Sequence, residues 1–247
     1  MRKLFILIAA TCFVSYLYSQ DAKEIVSKSY EMFNGKTSQS VMSMKIVRPT
    51  WSRTIEMKSW SKGTEYSMVL ITAPAKEKGQ VFMKRKKEMW NWVPGINRMI
   101  KLPPSMMSQS WMGSDFTNDD LVNEASIVKD YTQKILGNEK ISGYDCYKIE
   151  MIPDPDAAIV WGKVITWISK TGYMTLKNEY YDEDDELINT EIASQIKKLG
   201  DRTIPTKFTI TPEDEKDNQT ILEFISIDFD IEISEDFFSQ QKMKSIR

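Results

Sequence analysis

The sequence has no histidine and only two cysteines among its 247 residues. Without histidine there is no Ser-His-Asp or Cys-His nucleophile, no His-ligated zinc, and no imidazole to move a proton near neutral pH. A Gly-x-Ser-x-Gly elbow is also missing, which removes the usual scaffold of lipases and esterases. Charge of either sign is not in excess. The formal net charge is -2, so nothing in the charge balance points to general electrostatic binding of nucleic acid. What the chain has in quantity is 15 methionines and 7 tryptophans. These are soft or broad apolar side chains suited to an adaptable surface. With 41% hydrophobic and 28% charged residues, the composition is that of a packed protein.

The N-terminus has the three-part layout of a secretory signal. Arg2 and Lys3 precede the apolar stretch Leu4 to Leu17, and Ser19 offers the small residue that a signal peptidase accepts before Asp21. Residues 1–20 are therefore expected to be a cleaved leader, and residues 21–247 a single domain. Lipidation at Cys12 is disfavoured, because the apolar run before it is very short and Thr11 fits poorly at its position. Removal of the leader leaves Cys146 alone. It cannot form an intrachain disulfide and is expected to be a small buried hydrophobe. The mature protein is therefore expected to be exported.

Asp21 to Phe33 carries its apolar residues at helical spacing. Asp21 is placed to cap it, Glu24 to complete a capping box, and Asn34-Gly35 to end it. From Ser40 onward the period changes to two. Met42, Met44 and Ile46 alternate with polar neighbours, as do Tyr147, Ile149 and Met151, while Val160 to Ile168 is apolar on both faces. Turn signals at Lys62-Gly63, Gly137-Asn138, Ser142-Gly143, Gly200-Asp201 and Glu213 to Asn218 set hairpin spacing. The spacing predicts a mainly β fold, a single curved antiparallel sheet of about 10–11 strands. A helical interval is expected from Pro103 to Glu124, and a short C-terminal helix from Ser234 to Met243.

The methionine and tryptophan excess is concentrated between Val81 and Phe116. Met89-Trp90-Asn91-Trp92-Val93 places large aromatics where a half-exposed strand carries polar groups. Pro103 to Gly113 mixes small, polar and soft apolar residues, a poor pattern for a rigid core helix. Such residues suit a deformable wall for a flexible apolar ligand, although any one of them can equally be ordinary core.

The segment Met89-Trp90-Asn91-Trp92-Val93-Pro94-Gly95, followed by Gly113-Ser114-Asp115-Phe116-Thr117-Asn118-Asp119-Asp120-Leu121, resembles the LolA-like family of outer-membrane lipoprotein-sorting proteins. Gly143 to Glu150, Val164 to Ile168, Glu179 to Asp182 and Ile233 to Phe238 extend the resemblance over most of the mature chain. It implies a half β-barrel whose concave face is covered by helices, with an apolar cavity between them. In that family the cavity carries acyl chains of lipoproteins or other lipids across the periplasm. The residues expected at the cavity and its lid are Trp90, Trp92, Met99, Leu102, Met106, Met107, Trp111, Met112 and Phe116. Arg53 and Arg98 are the candidates to latch the lid. An inner-membrane transporter and an outer-membrane receptor are the implied partners, and a monomer is expected, with no cofactor and no catalytic residue. Two alternatives share the fold: an envelope sensor or binding module, and a lipid-binding accessory of a resistance-nodulation-division exporter.

Other signals have simpler readings. Lys84 to Lys87 reads as a solvated hairpin turn, and Asp182 to Glu186 lacks the glycine and distal glutamate of a calcium loop. No metal site is expected. No spacing among the carboxylates selects an acid-base pair.

Overall fold

The computed structural model describes residues 21–123, 127–157 and 159–247. The leader, with Cys12, lies outside the described residues. Helix α1 (Ala22–Asn34) opens the chain. The Asp21 side chain accepts from the Lys23 N–H at 3.2 Å, and Gly35 ends the helix with φ of 65°. Glu24 does not close a capping box; it pairs with Lys28 at 2.6 Å, one turn along the exposed face.

Thirteen strands follow among the described residues, more than the ten or eleven expected. They are β1 (Thr37–Arg48), β2 (Trp51–Lys62), β3 (Tyr66–Ala73), β4 (Val81–Arg85), β5 (Glu88–Val93), β6 (Arg98–Lys101), β7 (Tyr131–Ile141), β8 (Tyr144–Pro153), β9 (Lys163–Ser169), β10 (Thr175–Tyr181), β11 (Leu187–Leu199), β12 (Arg202–Pro212) and β13 (Gln219–Phe229). The excess comes from short strands such as β4 and β6, whose few residues are too short a window for period two to register. The spatial order is β6-β5-β4-β3-β2-β1-β13-β12-β11-β10-β9-β8-β7, one open antiparallel sheet. The chain thus starts at the centre of the sheet, meanders to the β6 edge, crosses to the β7 edge through residues 102–130, and meanders back to pair β13 with β1.

That crossing is mostly turns rather than the helix expected from Pro103 to Glu124. Within Pro103 to Glu124 only Pro104–Met106, a single 3-10 turn, and α2 (Asn118–Asn123) are helical among the described residues. Paired prolines, Gly113 and serines at 105, 108, 110 and 114 explain the difference, since each favours turns over helix. The C-terminus closes with a 3-10 turn at Glu235–Phe237 and helix α3 (Gln240–Ser245).

The two covering elements lie on opposite faces of the same strands. The row Trp60, Met68, Met83 and Trp90, and the row Leu70, Val81, Trp92 and Met99, are set side by side by the register of β2 to β6. They pack with Phe238, Met243 and Ile246 of the C-terminal segment. Val81, Phe82 and Met83 are consecutive and all buried, as a strand covered on both faces requires. Cys146 is fully buried beside Trp167 and Leu176, a small core hydrophobe. No helix among the described residues is long and apolar enough to cross a membrane.

Candidate apolar cavity and its lid

The other face of the sheet is concave, and side chains from every strand except β6 line one cavity of about 320 Å³. Met42 and Met44 of β1, Met57 of β2, Val69 of β3, Phe82 of β4 and Met89 of β5 form one side of it. Ile168 of β9, Phe208 of β12, and Leu222 and Phe224 of β13 form the other. Helix α1 contributes Val26, Tyr30 and Phe33 to the roof. Phe33 makes edge contacts with Phe208 and Phe224 at ring-centre distances of 5.3 and 5.1 Å, which fixes α1 over the β12–β13 half.

Residues 102–121 cover the β1–β5 half. Trp111 is 3% exposed and meets Phe82 edge-on at 5.4 Å. Leu102, Met107, Met112, Phe116 and Leu121 pack around it against Met42, Met44, Ile46, Ile55 and Met57. The lid is folded by its own backbone. Trp111 N donates to Phe116 O at 2.8 Å, Asn118 N to Gln109 O at 2.9 Å and Asp119 N to Met107 O at 2.9 Å. The Asn118 side chain also donates to Met106 O, which holds half-buried Met106 in the lid turn. Thr117 and Asp120 form a reciprocal capping box at the start of α2, at 3.1 and 2.7 Å.

Two arginines fasten this lid to the sheet. Met112 and Gly113 are consecutive left-handed residues, with φ of 53° and 76°, and their turn points both carbonyls outward. Arg53 of β2 donates to Met112 O, and Arg48 at the end of β1 donates to Gly113 O at 3.1 Å. Arg48 also grips Asp115 with both guanidinium nitrogens, at 2.8 and 3.2 Å. Thr220 of β13 donates to the Asp115 carboxylate at 2.7 Å, so the Gly-Ser-Asp-Phe segment is tied to both central strands.

The expected site residues therefore divide. Trp111 and Phe116 line the cavity, Leu102, Met107 and Met112 pack around Trp111 in the lid without lining it, and Arg53 reaches the lid. Trp90, Trp92 and Met99 do not face the cavity. They lie on the opposite face under the C-terminal segment, where Lys244 stands 5.5 Å over the Trp92 ring. The strand parity explains it: Met89 faces inward, so Trp90 opens the other face. Arg98 is exposed at the start of β6 and is not among the lid's partners.

The sequence reading missed three features. Arg48 carries the bidentate lid contact, and its only sequence cue was Asp115 within the Gly-Ser-Asp-Phe segment. Serines 38, 40, 59, 61 and 67 form a polar strip along the cavity floor, with Lys84 beside them. Opposite lies an acidic wall of Asp119, Asp120, Asn178, Tyr180 and Glu191. Burial pushes the Glu191 and Asp120 carboxyls up from their ordinary range, and it holds the Tyr180 hydroxyl well above its own. Among the described residues, no cluster of three Asp, Glu, His or Cys side chains could hold a metal ion. The Asp182 carboxylate is occupied by the N–H groups of Asp184 and Glu186, at 3.0 and 2.9 Å.

A curled open antiparallel sheet, roofed by one helix and a latched crossing segment over an apolar cavity, defines the LolA-like fold class. Solved structures share it, three of them over nine-tenths of this chain. A DUF1329 family protein from Desulfovibrio piger superposes with a TM-score of 0.82 at 22% identity, covering 90% of this chain and 97% of its own. A protein domain from Vibrio parahaemolyticus, described as outer membrane lipoprotein-sorting, gives 0.80 at 23% identity, covering 90% and 98%. A LolA superfamily protein from Nitrosomonas europaea gives 0.78 at 23% identity, covering 90% and 99%. No curated protein sequence matches the chain. Residues 63–245 match the model of a family described as uncharacterized-protein-like. The chain belongs to that family, and its fold is that of the LolA-like lipoprotein-sorting proteins.

Proposed function

We propose that this chain is a periplasmic carrier that shelters the acyl chains of lipoproteins or other lipids in its cavity and moves them toward the outer membrane. The observation that carries this reading is the cavity itself, about 320 Å³ lined largely by methionine, phenylalanine, valine and isoleucine under a lid. Each methylene taken from water is worth about 0.8 kcal/mol, so several carbons of a chain supply ample driving force. Methionine walls accommodate chains of varied shape. A lid tied to the sheet by side-chain contacts of Arg48, Arg53 and Thr220 and by apolar packing around Trp111, not by a continuous strand ladder, suits a protein that must also release its cargo. Trp111 adds a specific cue. Its indole N–H is buried without an acceptor among the described residues, and a buried unpaired donor costs about 1–3 kcal/mol. An ester or amide carbonyl of a lipid would satisfy it.

On this reading the protein binds and hands over and performs no catalysis. Residues 1–20 are its leader, residues 21–247 work as one lipid-binding domain, and an inner-membrane transporter and an outer-membrane receptor are its donor and acceptor. The test is extraction and mass spectrometry of the mature protein purified from the periplasm. Near-stoichiometric lipoprotein or phospholipid is the expected result. A protein that emerges empty, and that takes up no neutral fluorescent lipid probe, refutes the carrier.

A further inference from the structure

Glu191 of β11 lines the cavity and is 9% exposed. Its Oε2 accepts from Asn178 Nδ2 and from the Tyr180 hydroxyl, both at 2.9 Å, across the β10–β11 pair that sets Asn178 directly opposite Glu191. Among the described residues it makes no ion pair, so the two donors orient the carboxyl without neutralising it. Asp120 lines the same wall. It accepts from the Trp161 indole N–H at 2.8 Å, and the Trp161 ring lies 5.1 Å from that of Tyr180. Burial raises the Glu191 carboxyl above its ordinary range, and the charge of Asp120 adds to that rise. The lysine that lines the cavity, Lys84, stands on β4, across the sheet from β11. A desolvated pair of acids with no cation between them among the described residues is an expensive arrangement for a wall that touches only hydrocarbon. The orphaned indole N–H of Trp111, on a different element, independently points to a ligand that carries polar atoms into this cavity.

Building on the lipid-site reading above, we infer that the Asn178–Tyr180–Glu191–Asp120 wall is a headgroup site for amphiphiles whose polar end donates hydrogen bonds, a hydroxyl or an amine. A hydroxyl donates to the Glu191 carboxyl, and an ammonium supplies the missing counter-charge. A carboxylate or phosphate head brings a further negative charge to a wall with nothing to balance it.

The test uses the full mature chain, stripped of lipid by unfolding and refolding and loaded with Nile red. The dye is displaced at neutral pH by dodecylamine, 1-dodecanol or laurate, which share one chain length. The amine and the alcohol are expected to displace it at concentrations on the order of tenfold below laurate. Glu191→Gln should close that gap to roughly twofold or less, and Tyr180→Phe, which removes one of the two donors that orient the carboxyl, should narrow it. Equal displacement by all three overturns the headgroup assignment while leaving the lipid site standing. An unchanged gap in a folded Glu191→Gln does the same. Should Glu191→Gln fail to fold, the wild-type ranking and Tyr180→Phe decide. Failure of all three ligands overturns the headgroup site and the lipid site together.

Discussion

The two faces of the β2–β5 strands are built from the same residue types and do different work. Beneath the C-terminal segment, Trp60, Tyr66, Met68 and Trp92 close on Phe238, Met243 and Ile246. Ring contacts seal that face, with Trp60 and Phe237 at 5.6 Å and Tyr66 and Phe238 at 5.4 Å. On the other face Met57, Phe82 and Met89 meet a lid instead, and the covering leaves a cavity. Composition therefore does not separate a core from a binding wall. The difference lies in what covers each face: a short capped helix packed directly on the sheet, or a turn-rich segment fastened by arginines along one side.

The sharpest break in that comparison is Phe238→Ala. Phe238 is fully buried, and deleting such a ring costs about 3–5 kcal/mol. Urea unfolding should show that loss for the whole sheet, with lipid uptake by the folded fraction unchanged. Arg48→Ala acts on the other face. It strips a largely buried bidentate partner from Asp115, and about 2–3 kcal/mol is expected to be lost. Hydrogen exchange should rise at residues 107–119 first, while the amides of β3 and β4 under the C-terminal helix stay protected. Simultaneous loss on both faces would mean that the lid is integral core.

Glu191→Gln tests the acidic wall by pH. The folded-state pKa of Glu191 is raised, so the folded protein holds the proton more tightly than the unfolded chain does. Stability must then fall as pH rises from the ordinary carboxylate range through the raised value. The glutamine variant should lack that part of the fall and be the more stable above it. The gain is about 1.4 kcal/mol for each tenfold by which folding tightens the carboxyl's hold on its proton. Thermal melts of both proteins across acidic to alkaline pH measure this; parallel curves would remove the buried acid from the account. The smallest effect is expected of Trp111→Phe. Removing an indole N–H that has no acceptor offsets part of the lost packing, so stability should stay within about 1 kcal/mol while lipid affinity drops.

How much of this was legible in the sequence follows from the range of each interaction. Helix α1 and its Asp21 cap are local, and so is the alternation of Met42, Met44 and Ile46; both were readable. That residues 103–124 interrupt the strands was readable too, because Pro103-Pro104 and the run of serines break the strand period; that they fold mostly as turns was not. The direction of Trp90 and Trp92 was not. Alternation tells which residues share a face, and only the fold says that the C-terminus covers theirs. The Arg48–Asp115 pair joins residues 67 apart in sequence, and Asn178 meets Glu191 through strand register. Neither has a local signature.

The central claim is that the space between sheet and lid is where a lipid sits. Ser59 is half-buried on the cavity floor, level with Ser40, Val69 and Phe82, and its replacement by tryptophan would fill that space from the sheet side. The decisive measurement is a titration of a neutral fluorescent lipid probe into wild-type protein and Ser59→Trp, with thermal melts alongside. The account predicts at least a roughly tenfold loss of affinity with little change in melting temperature. Unchanged affinity in a folded Ser59→Trp would contradict it.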